Sequence, residues 1–252
     1  MTFERYSVRE PVYRGWKNAA RLLPETSIRG FEVSAEPADE LSTAVSTLRS
    51  AGIEPLTVAC GAKLNDAASL STWVAVLDSL PALDISILFT SASGEEDRGR
   101  AMSVLRDLAE EAAARDVVIS LETHPPYCEN ADGMLATMEA VDHPNLRVNF
   151  DTANIFFYNE GLDSADELER VIDYVASVHL KDTDGGFKSG RFPVFGQGVV
   201  QFERIFESLA AADFAGPLTI ELEGELMRDL DVDGRHLAVI ECMDYLRSIG
   251  VA

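Results

Sequence analysis

Four ionisable residues stand out from position 122 onward: Glu122, Asp151, His179 and Glu221. The steps between them are 29, 28 and 42 residues. Each sits in a short stretch that alternates apolar and polar residues: VVISLETH, LRVNFD, SVHLK and LTIELE. Side chains alternate faces along a strand. Ser120, Glu122 and His124 therefore share a face, as do Asn149 with Asp151, Ser177 and His179 with Lys181, and Thr219 and Glu221 with Glu223. The other faces carry Ile119, Leu121, Val148, Phe150, Val178, Leu180, Ile220 and Leu222. Carboxylates gathered away from water are costly unless paired or neutralised. Two Glu, one Asp and one His make an N/O donor set suited to a divalent ion such as Mn, Mg, Co or Zn. If the four strand ends converge, the spacing predicts one such ion held by Glu122, Asp151, His179 and Glu221.

A scaffold that gathers strand ends has to lie behind these residues, and the sequence supplies the pattern for one. Strand-like segments at 27–34, 53–59, 84–90, 117–122, 146–151, 177–181 and 218–222 alternate with helical segments at 13–23, 39–50, 67–80, 95–115, 131–141, 164–175, 201–212 and 235–248. A first strand is expected near Arg5 to Val8. Alternation of this kind implies βαβ units and a parallel sheet. Eight repeats in 252 residues match the size of an α/β fold of the (β/α)8 TIM-barrel type. A doubly wound open sheet is the competitor, but its GxGxxG turn is absent. No linker or low-complexity stretch interrupts the pattern, so one barrel spanning 1–252 is expected. In a barrel the apolar strand faces meet the helices. The polar faces then line the lumen, which branched apolar residues normally fill.

Composition narrows the partners. The chain is 46% hydrophobic and 25% charged, with 43 Asp+Glu against 21 Lys+Arg and a formal charge of −22. That balance argues against nucleic acid and anionic membrane surfaces, which attract cations. Only four residues are lysine: Lys17, Lys63, Lys181 and Lys188. A Lys-poor acidic surface suits either a high-salt habitat or an ordinary acidic cytoplasmic protein, and both readings stay open. Cys60, Cys128 and Cys242 form no CxxC and indicate no disulfide framework. Residues Met1 to Glu10 carry no apolar h-region and no run of 18 apolar residues occurs, so a cytoplasmic location is expected.

The segments ISLETH, VNFDTAN, SVHLKD and TIELE, with GFEVS at 30–34 and FPVFGQGVVQF at 192–202, resemble the xylose-isomerase-like TIM-barrel family of sugar isomerases and epimerases. The resemblance implies that Glu122, Asp151, His179 and Glu221 bind one divalent ion, and that Glu122 and Glu221 exchange protons with the substrate as an acid/base pair. It also implies that Glu32 orients a ligand or the substrate. The family includes a nuclease with three zinc ions and many histidines. This chain has only His124, His143, His179 and His236, and its charge is wrong for DNA. Where several epimerases carry a His three residues after the metal-binding Asp, this chain has Asn154, which leaves the sugar contact there open.

The expected reaction is proton transfer next to a carbonyl of a sugar or keto-acid through an enediolate. The divalent ion acts as Lewis acid and carboxylates move the proton. His124 shares the face of Glu122 and is expected to contact a substrate hydroxyl. Lys181 is expected to hold an oxyanion, carboxylate or phosphate, with Asp182 and Arg191 in the following loop as further contacts. Two alternatives stand beside this reading: a metal-dependent dehydratase of a keto-inositol-like substrate, and a barrel that binds sugar or metal without turnover. The partner is a small molecule in each case, and self-association is left open. Phe156, Phe157 and Tyr158 read as packing residues, Trp16 and Trp73 likewise, and His143 and His236 as solvated.

Overall fold

The computed structural model describes residues 3–35 and 38–252. Eight parallel strands carry the fold: β1 Tyr6–Val8, β2 Gly30–Ser34, β3 Glu54–Ala59, β4 Ile87–Thr90, β5 Val118–Glu122, β6 Leu146–Asp151, β7 Val175–Leu180 and β8 Leu218–Ile220. They follow one another in chain order around the sheet, with β1 beside β8. The circle closes between β1 and β2 through an isolated parallel bridge, Arg9 with Glu32. This is the expected (β/α)8 barrel. A separate two-stranded ribbon, Ala62–Lys63 with Ala92–Ser93, extends the loops after β3 and β4.

The outward strand faces are apolar and fully buried beneath the helices, including Val8, Phe31, Val33, Val58, Leu88, Ile119, Val148, Phe150, Val178, Leu180 and Ile220. Every strand is parallel and covered, which is the condition under which parallel sheets persist. Helices start where the sequence offers an oxygen to their free N–H groups. Asp66, Asp97, Asn130, Asp163 and Asp231 each accept such bonds from the first turn. Among the described residues, no helix is long and apolar enough to cross a membrane. The three cysteines are unpaired.

The helix expected at 13–23 is instead two, α1 Glu10–Tyr13 and α2 Trp16–Leu22. Between them Arg14 takes a left-handed conformation and Gly15 has φ 123°, a turn that glycine makes without steric cost. Trp73 is fully buried and its indole donates to Thr90 Oγ1 at 3.0 Å. His236 is buried rather than solvated, with its Nδ1 2.9 Å from the Tyr13 hydroxyl.

Below the strand ends the lumen is polar. Ser7 Oγ and Thr219 Oγ1 are 2.6 Å apart, Ser120 Oγ and Ser177 Oγ are 2.7 Å apart, and Asn149 Nδ2 donates to Ser177 Oγ at 2.8 Å. All of these residues are buried. Small hydroxyl and amide side chains, paired between neighbouring strands and in one case past an intervening strand, replace the usual branched layer, and their mutual hydrogen bonds offset the cost of burial.

Candidate active site at the C-terminal rim

The alternation that buries apolar residues under the helices aims their neighbours into the barrel mouth. Registry places Asp151 beside His179 and His179 beside Thr219, with Glu221 just beyond the end of β8. One donor atom from each of Asp151, His179 and Glu221 lies within 4.8 Å of the other two, and all three residues are buried. Glu122 ends β5, is half-buried and stands outside that group of three. It lines an adjoining cavity of about 200 Å³ together with Arg9, Asn154, Phe157, Tyr158, Lys181, Phe192, Glu221 and Glu223.

Two cations thread through these acids. Arg9 Nε lies 2.9 Å from Glu32 Oε1, and its Nη1 donates to Glu221 Oε1. The Lys181 ammonium is 2.9 Å from Asp151 Oδ2 and 3.5 Å from Glu221 Oε2, and it donates to Glu223 Oε1 at 2.9 Å. His179 Nε2 donates to Glu32 Oε2 at 3.2 Å, and Glu32 also accepts from Thr57 Oγ1 at 2.9 Å. Phe89 packs against both the His179 ring and the Arg9 guanidinium.

Protonation follows from this wiring. Burial pulls the His179 imidazole down, but Glu32 and Glu221 outweigh it and raise its pKa to about 9. Burial raises the Asp151 carboxyl above the usual carboxylate range; Lys181 opposes this and Glu221 adds to it. Glu221 is held well below that range, because Arg9, Lys181 and His179 overcome its burial. Lys181 is raised well above an ordinary lysine by Asp151, Glu221 and Glu223, again against burial.

The donor set passes a test for a bound cation. Asp151 Oδ2, His179 Nδ1 and Glu221 Oε2 are buried atoms without an aligned hydrogen bond, although charged neighbours stand close. With Nε2–H committed to Glu32, the Nδ1 lone pair of a neutral His179 would face Glu221 Oε2 at 3.1 Å. That contact is repulsive unless a proton or a cation lies between the two atoms. A carboxylate on the far nitrogen of a histidine is also the usual support for a metal ligand. One nitrogen and two oxygens fit Mn, Mg, Co or Zn.

The remaining expected contacts divide. Asn154 is buried and lines the cavity, its Nδ2 donating to the Thr123 carbonyl at 3.0 Å. Glu32 lies beneath the rim as the shared partner of Arg9 and His179. His124 is half-buried and stacks edge-on against Tyr158, with ring centroids 5.0 Å apart, so it backs the cavity wall. Asp182 and Arg191 are placed elsewhere. The Asp182 carboxylate accepts from the backbone N–H groups of Thr183, Gly196, Gly198 and Val200 and ties down the loop after β7. Arg191 is exposed and borders a separate cleft with Asp184 and Gln197. Phe157 and Tyr158, expected to pack, form a cavity wall with Phe192. Arg9 and Glu223 join the site without having been expected there, yet both share the polar strand phase, Arg9 with Ser7 and Glu223 with Glu221.

Residues 29–249 match the family described as xylose isomerase-like TIM barrel, and the chain belongs to that family. Among curated relatives, the L-ribulose-5-phosphate 3-epimerase UlaE of Escherichia coli is 30% identical over 145 residues, which is 56% of this chain and 49% of that protein. The chain thus spans about half the length of the curated relatives it matches. A solved xylose isomerase domain protein from Planctomyces limnophilus superposes with a TM-score of 0.80 at 20% identity, covering 98% of this chain and 97% of that one. The IolI protein, solved with a zinc atom, superposes with a TM-score of 0.78 at 14% identity, covering 97% of both chains. At these identities the two structures speak to the fold.

Proposed function

We propose that the chain is a divalent-metal-dependent isomerase or epimerase of a sugar or keto-acid, working by proton transfer through an enediolate. One observation carries the reading: three buried donor atoms, on Asp151, His179 and Glu221, meet within 4.8 Å beside a cavity that also holds Glu122. Asp151, His179 and Glu221 would hold the ion, with Glu122 on the neighbouring wall as the fourth ligand. A bound ion supplies Lewis acidity to the substrate's carbonyl and adjacent hydroxyl oxygens.

The chain's own residues do the rest. Glu122 and Glu221 stand at the ends of strands three positions apart in the eight-membered circle. One carboxylate removes the proton next to the carbonyl. The other returns one from its own side for epimerisation, or the first returns it to the next carbon for isomerisation. Arg9, Lys181 and His179 keep Glu221 in the ionised form that taking a proton requires, while lowering its basicity. Phe157, Tyr158 and Phe192 offer an apolar wall to the C–H face of a sugar, and Asn154 and Glu223 offer polar groups to hydroxyls. A cavity of about 200 Å³ is small beside the sites of drug-sized ligands and suits a compact polar metabolite. A sugar-epimerising relative such as UlaE supports this chemistry.

The test is a screen of ketoses, keto-acids and inosones in deuterated buffer with Mn²⁺ present. The wild-type chain should place deuterium on the carbon next to a carbonyl, and Glu221→Gln should lose that exchange and retain metal poorly. Normal exchange in Glu221→Gln would refute the acid/base role. A product absorbing as an enone or dione would instead point to dehydration.

A further inference from the structure

Lys181 is a buried lysine at the point where the acidic side chains meet. Its Nζ contacts three carboxylates in two different ways. Asp151 Oδ2 at 2.9 Å and Glu221 Oε2 at 3.5 Å are close but carry no aligned hydrogen bond. Glu223 Oε1 at 2.9 Å accepts an aligned one, and the Glu223 side chain is 48% exposed at the cavity mouth. The ammonium thus lies between a pair of carboxylates that could hold an ion and a third carboxylate that faces solvent. The Phe192 ring, its centroid 5.0 Å from Nζ, flanks it. An ammonium and a divalent ion repel each other strongly at the separations that sharing two oxygens would require.

We propose that Lys181 is a built-in competitor of the divalent ion and that Glu223 is the anchor that draws it aside, so that this pair sets the affinity of the centre for metal. The inference rests on the metal-binding reading above. Without an ion, Lys181 and Arg9 supply the positive charge that the gathered carboxylates need. When an ion enters, Lys181 gives up Asp151 and Glu221 and keeps Glu223, with no change of strand or loop required. Glu223 has no place in the proposed ion-binding set, so the Lys181→Met background separates its action through Lys181 from the direct attraction of its charge for the ion.

The experiment is a Mn²⁺ titration in competition with a chromophoric chelator, at fixed pH and salt, on the wild-type chain, Lys181→Met, Glu223→Gln and the double variant. Lys181→Met should bind Mn²⁺ about tenfold more tightly or better, because a like charge has gone. Glu223→Gln should bind it about threefold more weakly or worse, because Lys181 is left with only the metal's own ligands as partners. In the double variant the loss caused by Glu223→Gln should largely vanish. Two residues with a merely structural role would not shift affinity in opposite directions. Unchanged or weaker binding by Lys181→Met overturns the proposal, as does a Glu223→Gln loss that persists undiminished in the Lys181→Met background. Should Lys181→Met fail to fold, Lys181→Gln replaces it in the same four-way comparison, and unchanged or tighter binding by Glu223→Gln refutes the anchor in any case. If the wild-type chain binds no divalent ion, the metal reading itself falls and the competition with it, a result distinct from normal binding without the opposed shifts.

Discussion

Replacing Arg9 by Met tests the charge balance of the rim most directly. Arg9 joins Glu32 on one strand to Glu221 on another, and its side chain is only 19% exposed. Removing one partner of a buried ion pair costs about 3–5 kcal/mol, because the opposite charge stays buried without compensation. Here Glu32 keeps His179 at 3.2 Å and Glu221 keeps Lys181 at 3.5 Å, which sets the expected loss near the lower limit, about 3 kcal/mol. In a chain of this size each kcal/mol moves the melting temperature by about 2–4 °C, so Arg9→Met should melt about 6–12 °C lower in chelator. A ligand at about 100 times its Kd adds about 2.7 kcal/mol to the folded state. Mn²⁺ should raise the melting temperature of Arg9→Met more than that of the wild-type chain, since the ion supplies charge that Glu221 has lost. Thermal melts by circular dichroism in EDTA and in Mn²⁺ measure both effects. A variant that melts in EDTA within about 2 °C of wild type, a loss of less than about 1 kcal/mol, would refute the idea that these acids depend on Arg9.

Two further substitutions probe the supports. Asp182→Ala strips the acceptor from four backbone N–H groups, each costing about 1–3 kcal/mol if left buried and unmade. Limited proteolysis should then cut between residues 183 and 200 much faster than in wild type, and an unchanged cleavage pattern would count against the carboxylate as organiser of that loop. His236→Ala removes the partner of the Tyr13 hydroxyl at 2.9 Å and should lower stability in urea by about 1–2 kcal/mol. Mn²⁺ affinity should stay at the wild-type value, and a changed affinity would show that this pocket communicates with the rim.

The barrel and the acidic cluster were legible because both follow from one regularity, the alternation along a strand. It put Ile119, Val148, Val178 and Ile220 under the helices and Asp151, His179 and Glu221 into the mouth. The rule stops where the strand stops. Lys181 and Asp182 are neighbours just beyond β7, yet one enters the cluster and the other secures a loop. Arg191 lies further along that loop, where nothing in the residue pattern fixes direction. Arg9 was hidden because β1 has only three residues and ends at Val8; the polar phase running from Ser7 to Arg9 was its one signal. Phe157 and Tyr158 belong to a five-residue helix, Asn154–Tyr158, too short to announce itself by periodicity. No residue pattern marked that turn as the one that would carry the aromatic wall to the cavity.

The joint between the first and second staves differs from the other seven. A ladder is reduced there to one bridge, Arg9 with Glu32, whose side chains also touch each other and, through Glu221 and His179, the candidate ion-binding group. Breathing of the cylinder is therefore expected to start at this seam, and the same opening would part Arg9 from Glu32, the side chains that brace Glu221 and His179. A metal seated on Glu221 and His179, at the eighth and seventh staves, would fix the two side chains that Arg9 and Glu32 lean on, so that the state of this joint and the readiness of the centre would be felt by one another.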